Sequence, residues 1–187
     1  MRIHINIEDS KYAFWIKTTR TNWNDRFDQL CFWIYALLLI FVSFFLTYSI
    51  FKIEWSESLR SAIILSLIVG VILIGLISIF TVMTFNKLFK IAGVDRKINE
   101  RIFQQVLLEK FGHKPSIAGD ILKIYRQPTL LRMGKRVIVI FDDKNVLINI
   151  ATFNFRHIRS PIHGLFDWLQ ILKFKRQFLL KVQNSGA

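Results

Sequence analysis

Two long apolar runs dominate the pattern of the chain. Residues 30 to 51 hold no charged side chain, and residues 59 to 85 hold one, Arg60, beside the start of the run. Each run exceeds the ~20 residues a helix needs to cross a hydrocarbon core of about 30 Å, and neither carries the polar stripe of a buried soluble helix. The pattern predicts a transmembrane hairpin of two helices. The first run starts too late and runs too long for the apolar core of a secretory signal, so it is expected to remain in the mature protein.

The flanks are patterned differently. RIHINIE alternates Ile3, Ile5 and Ile7 with polar residues, the period of a half-buried strand. It is too short to be stable alone, and its expected partner is a strand from the C-terminal part. Trp15, Trp23 and Phe27 then lead into the first span with side chains suited to a bilayer interface.

After the second span, Asp95 predicts the cap of a helix on which Ile98, Ile102, Phe103, Val106 and Leu107 share a face, with Gly112 as its stop. Pro115 breaks the chain, and SIAGDILKIYRQP fits a short helix or a strand. TLLRM and RVIVIF, divided by a turn at Gly134, and VLINIATF after DDKN predict a small antiparallel meander. RVIVIF is apolar on both faces, so it is central or covered by a helix; VLINIATF is placed more easily toward an edge. A last helix is expected from residue 162 to about 182, with Leu165, Trp168, Leu169 and Leu172 along one face. Its start is marked by Ser160 as cap and Pro161 in the first helical position.

The fold class expected is therefore a membrane helical hairpin joined to a small α+β cytoplasmic domain with an antiparallel sheet. Residues 1–28 form the N-terminal strand and interfacial approach, 29–86 the hairpin, and 87–187 the cytoplasmic domain.

Charge fixes the expected orientation. The chain carries 26 Lys and Arg against 13 Asp and Glu, and residues 87–187 alone hold 19 against 7. Basic residues flank the outer ends of both spans, whereas the loop KIEWSESLR balances two with Glu54 and Glu57, so both termini are expected in the cytoplasm of a multi-pass inner-membrane protein. One cysteine, Cys31, excludes a disulfide framework and a thiolate metal site.

Candidate chemistry is sparse. In RHIRSPIHGLFDW, Ser160, His163 and Asp167 share one helical face, which invites a Ser-His-Asp reading. A relay needs the serine and the carboxylate on opposite imidazole nitrogens beside an oxyanion hole, and helix-start chemistry explains each residue more simply; His163 and Asp167 are expected to pair along the helix. His4, His113 and His157 have no metal-ligand spacing. Gly134-Lys135 lacks the earlier glycine and the hydroxyl residue of a phosphate-binding loop. Asp142 and Asp143 read as turn formers. No catalytic function, metal or cofactor is expected.

The basic tail is the strongest remaining signal. Arg156, His157, Arg159, Lys173, Lys175 and Arg176 are candidate contacts for an anion or a lipid headgroup, and the last helix, with Phe166, Trp168, Phe174 and Phe178 among its lysines, suits equally a helix lying in the interface and one that packs its apolar face on the sheet with its lysines in water. Nucleic acid is disfavoured because the basic residues are diffuse and no aromatic RNA-binding motif occurs. Ala62, Ser66 and Gly70, spaced by four, form a candidate helix–helix contact, with the first span or in a homo-oligomer. The expected function is a non-enzymatic membrane protein presenting a basic cytoplasmic domain to a protein partner or anionic inner-leaflet lipid, as an accessory, regulatory or immunity-like subunit. The alternatives are a two-span effector that senses an anionic ligand such as a nucleotide and oligomerises through its spans, and an oligomeric pore or channel.

Overall fold

The computed structural model describes residues 5–14, 16–18, 58–84, 86–155, 159–160 and 162–184, and within 30–49 all but 32, 35, 36, 39, 43 and 47. The N-terminal segment forms β1 (Ile5–Asn6), α1 (Ile7–Ala13) and β2 (Lys17–Thr18), and α2 spans Ser58–Thr84. Beyond it come β3 (Phe89–Ala92), α3 (Arg96–Phe111), β4 (Ser116–Ala118), β5 (Ile121–Arg126), β6 (Gly134–Asp142), β7 (Asn145–Phe153) and α4 (Gly164–Asn184).

Within α2 the stretch Leu65–Thr84 is long and apolar enough to cross a membrane, and among the described residues it is the one stretch that meets that test. The two-span hairpin expected from the sequence thus reduces, among the described residues, to one such helix. The described positions within 30–49 are helical, and Leu37, Phe41 and Phe44 on them are exposed. On α2, Leu65, Leu67, Leu73 and Leu76 are exposed, while Ile68, Gly75, Ser78, Thr81 and Val82 are buried.

The sheet is antiparallel throughout, in the order β3-β7-β6-β5-β4. Its central strand is β6, in keeping with the two apolar faces of RVIVIF. Val137, Val139 and Phe141 join the core under α3 and α4, and Ile138 and Ile140 join a second cluster on the opposite face. The ambiguous segment resolves into β4 and β5 around a turn in which Gly119 has φ +59°.

Two strand expectations are corrected. β7 is internal, because Phe89–Ala92, too short to show a period, supplies the edge strand beside it. The polar Asn149 of β7 is buried, and its amide donates to the Lys87 carbonyl at 2.8 Å. TLLRM is not a strand. Thr129 and Arg132 close a tight turn, each N–H donating to the other's carbonyl at 2.8 and 3.3 Å, and Gly134 opens β6 instead of forming the turn. A Cβ on Gly134 would lie 2.9 Å from the Pro128 nitrogen, so the close return of the chain needs glycine.

Helices α3 and α4 cover one face. The start and stop of α3 match the sequence: the Asp95 side chain accepts from the Lys97 N–H, and Gly112 ends the helix in the left-handed conformation. Phe103 of α3 and Phe178 of α4 stack with ring centres 4.7 Å apart.

The N-terminal segment covers the other face, where Ile5, Ile7 and Ile16 pack on Leu88, Ile121, Ile138, Ile140 and Leu147. The strand expected in RIHINIE stops after Asn6, whose side chain accepts from the Asp9 N–H and so starts α1. The strand β1 pairs with β2 of its own segment, not with the five-stranded sheet. The segment is nonetheless joined to the chain leading into β3: Ile16 N–H donates to the Asn86 carbonyl at 2.8 Å and Leu88 N–H to that of Phe14 at 2.9 Å. Ile3, His4, Trp15, Trp23 and Phe27 lie outside the described residues.

Lys11 of α1 reinforces this docking, with its ammonium 3.3 Å from Asp120, 3.7 Å from Asp142 and 3.6 Å from Glu8. Burial works against its charge, but the hydrogen bond to Asp120 and the surrounding carboxylates prevail and hold its pKa above the usual lysine value.

Candidate membrane-proximal junction

The end of α2, the end of β7 and the start of α4 meet at one point. A helix begins with backbone N–H groups that have no partner inside it. Here one of them, Gly164 N–H, donates to Thr81 Oγ1 of α2 at 3.1 Å, while Thr81 Oγ1 donates to the Ile77 carbonyl at 2.8 Å. A Cβ on Gly164 would lie 2.5 Å from the Thr81 Cα, so glycine is what allows the two helices this close. Phe80 meets Trp168 edge-on, ring centres 6.1 Å apart, and closes the contact.

The helix start differs from the one the sequence predicts. α4 begins at Gly164, and the first turn closes when Asp167 N–H donates to the His163 carbonyl at 2.8 Å. Ser160 does not cap free amides: its hydroxyl is hydrogen-bonded to His163 Nδ1 at 2.5 Å, and its own N–H donates to the Thr152 carbonyl. Pro161 lies outside the described residues.

Asp167 does not pair with His163. Its carboxylate accepts from the Thr152 N–H at 3.0 Å and the Thr152 hydroxyl at 2.6 Å, with the Lys135 ammonium 3.6 Å away. The Ser-His-Asp relay is therefore not assembled here, because the acid is turned toward β6 and β7. Lys135 also donates to the Gln170 side chain. Burial is the main cause of a lowered Lys135 pKa; Asp167 opposes it, and Arg126 and Lys110 add to it.

The candidate anion contacts separate into three groups. Arg156 and His157 lie outside the described residues. Arg159 is buried, 6% exposed, and donates to the Asn86 side chain at 3.2 Å, so it belongs to the α2–β3 link and not to a binding surface. Lys173, Lys175 and Arg176 are exposed on α4.

Of the two expectations for α4, packing on the sheet is the one its buried face follows. The side that packs on the sheet carries Asp167, Ile171, Phe174 and Phe178, so its two phenylalanines are core residues. Phe166, Leu169, Leu172, Leu179 and Leu180 form a second, exposed apolar side, with a groove lined by Leu172, Lys175, Arg176, Leu179, Leu180 and Gln183. The helix thus has two apolar faces, one buried on the sheet and one exposed.

Ala62 and Ser66 are exposed, and among the described residues nothing lies within 4 Å of a Cβ built on Gly70. Burial on α2 follows Ile68, Gly75, Ser78 and Val82 instead. Among the described residues no three His, Cys, Asp or Glu side chains are grouped to hold a metal ion.

Thr81, Asn86, Lys135 and Thr152 escape a sequence reading. A threonine ending an apolar run ordinarily bonds back to its own helix, as Thr81 also does. The available signal was Gly164, a glycine in the first turn of a helix, which marks close approach of another chain segment.

Compared with known proteins, the chain matches no family model, no curated protein and no solved structure.

Proposed function

We propose that this is a non-enzymatic, multi-pass membrane protein that holds a basic α+β domain against the cytoplasmic leaflet and presents it to a protein partner. The observation that carries the reading is the docking of α4 on the last turn of α2 through Thr81–Gly164 and Phe80–Trp168. A domain fastened in this way to the end of a spanning helix stays at the membrane surface, where Lys173, Lys175 and Arg176 meet anionic headgroups. In this reading residues 30–51 are a first span and both termini are cytoplasmic. Exposed leucines and phenylalanines on both helical stretches support it, since apolar side chains left outside a fold find their solvent in lipid.

The test combines topology with partner capture. The chain is expected to stay in membranes washed with alkaline carbonate, with terminal reporters active on the cytoplasmic side and a reporter inserted at residues 52–57 active outside. A partner is expected to co-purify stoichiometrically in mild detergent and to be lost on joint reversal of Lys173, Lys175 and Arg176 to Glu. Release of the chain by carbonate would remove the membrane reading. Turnover of a substrate, abolished by Asp167→Asn without loss of folding, would remove the non-enzymatic one.

A further inference from the structure

We propose that the β5–β6 hairpin is a separate membrane-contacting element, whose tip, Leu130–Leu131, inserts into the anionic leaflet at which α2 ends. The proposal rests on the reading that α2 crosses the bilayer.

The tip is apolar where a turn has no need of it. Leu130 and Leu131 are 84% and 97% exposed, and the paired hydrogen bonds between Thr129 and Arg132 keep them from folding back onto the sheet. Neither has a positive φ, so the backbone there accepts ordinary polar turn residues and does not select leucine. Met133, at the base of the turn, is also exposed. Two adjacent leucines held out in water by a closed turn gain nothing within this chain, whereas hydrocarbon would remove both side chains from water.

Strand register decides where the tip points. Gly134 pairs with Phe153 and Lys135 with Arg126, so the hairpin leaves the sheet at the end where β7 finishes. Phe153 is bridged to Arg159, Arg159 reaches Asn86, and Gly164 reaches Thr81, all at that same end. The tip therefore projects from the end of the sheet fastened to the last turn of α2, about 10 Å to the side, since β5 and β7 are two strand spacings apart.

The flanks of the tip are basic. Arg126 and Arg132 flank the turn, and Lys110 lies near Lys135, whose own charge is turned to Asp167. Burial and then repulsion from Arg132 lower the Arg126 pKa, as expected of cations crowded with few counter-charges. An apolar tip inside a basic collar matches an anionic leaflet: hydrocarbon for the leucines, phosphate for the arginines.

The experiment uses the full chain in nanodiscs, with Cys31→Ser and one cysteine carrying an environment-sensitive fluorophore at position 131, 144 or 72. Lys144 is exposed in the β6–β7 turn at the opposite end of the sheet, and Ile72 is exposed at mid-helix on α2. In discs containing brominated phosphatidylglycerol, the label at 131 is expected to lose most of its emission and the label at 144 none. Replacing the brominated phosphatidylglycerol with equally brominated phosphatidylcholine, or making Arg126→Gln with Arg132→Gln, is expected to restore at least half of the lost emission. A label at 131 that stays water-exposed while that at 72 is quenched overturns the hairpin proposal and leaves the spanning helix intact. No quenching at 72 overturns the spanning reading itself. Shielding of 131 that is independent of lipid and rises with the number of chains per disc identifies a second copy as the occupant and also overturns the proposal.

Discussion

Thr81, three residues before the end of α2, accepts the N–H of Gly164, the first residue of α4, at 3.1 Å. One hydroxyl thereby joins the helix apolar enough to span a membrane to the helix that closes the sheet. Thr81→Val leaves a buried amide without an acceptor, and Gly164→Ala drives a methyl into the Thr81 backbone. Each is expected to cost about 1–3 kcal/mol, read as a lower melting temperature in detergent. Unchanged melting of Gly164→Ala would show that the helices do not touch in solution.

Asp167 is the anion of the junction, serving both Thr152 groups and facing Lys135. Asp167→Ala removes every one of these contacts and is expected to cost about 2–3 kcal/mol in denaturant melts, with Asp167→Asn in between because it keeps an acceptor for Thr152. A stability order with Asn at or below Ala would show that a neutral acceptor cannot replace the carboxylate.

The two perturbed lysines should respond to alkali with opposite signs. The Lys11 pKa is raised, so its contribution is fully present below its ordinary value and is lost as pH rises above that value through the folded one. The Lys135 pKa is lowered, so its charge is a penalty at neutral pH that is relieved as pH climbs from the folded value toward the ordinary one. Lys11→Met should therefore flatten a falling limb of the pH–stability curve, and Lys135→Met a rising one at lower pH. Parallel curves for Lys11→Met and the unmodified chain would refute the Lys11 carboxylate cluster.

Local signals carried the sequence reading as far as single elements. Asp95 and Gly112 delimit α3, and the doubly apolar RVIVIF becomes the central strand, because caps and two-sided burial are written in consecutive residues. What escaped depends on pairing at a distance. Phe89–Ala92 is a strand because β7 is beside it, and Arg159 is buried because Asn86 is near, 73 positions away in the chain. TLLRM shows the converse error: its apolarity suggested a strand, yet those residues form an exposed turn.

Charge reversal separates the structural from the surface cations. Arg159 is buried against the end of α2, so Arg159→Glu strands an anion beside the Asn86 link and is expected to cost about 3 kcal/mol or more, whatever the lipid. Lys173, Lys175 and Arg176 are exposed, and reversing all three should leave stability within about 0.5 kcal/mol per site. Attraction to an anionic leaflet should nevertheless fall by at least about 1 kcal/mol per residue, roughly a hundredfold for the three together. The readout is the reactivity of a cysteine at Leu172, in a Cys31→Ser background, toward a water-soluble thiol reagent in phosphatidylglycerol and phosphatidylcholine vesicles. Protection specific to phosphatidylglycerol and lost in the triple variant supports lipid contact along α4. Equal reactivity in both vesicles would mean that the outer face of α4 stands clear of the membrane, and its leucines would then have to be assigned to the protein partner.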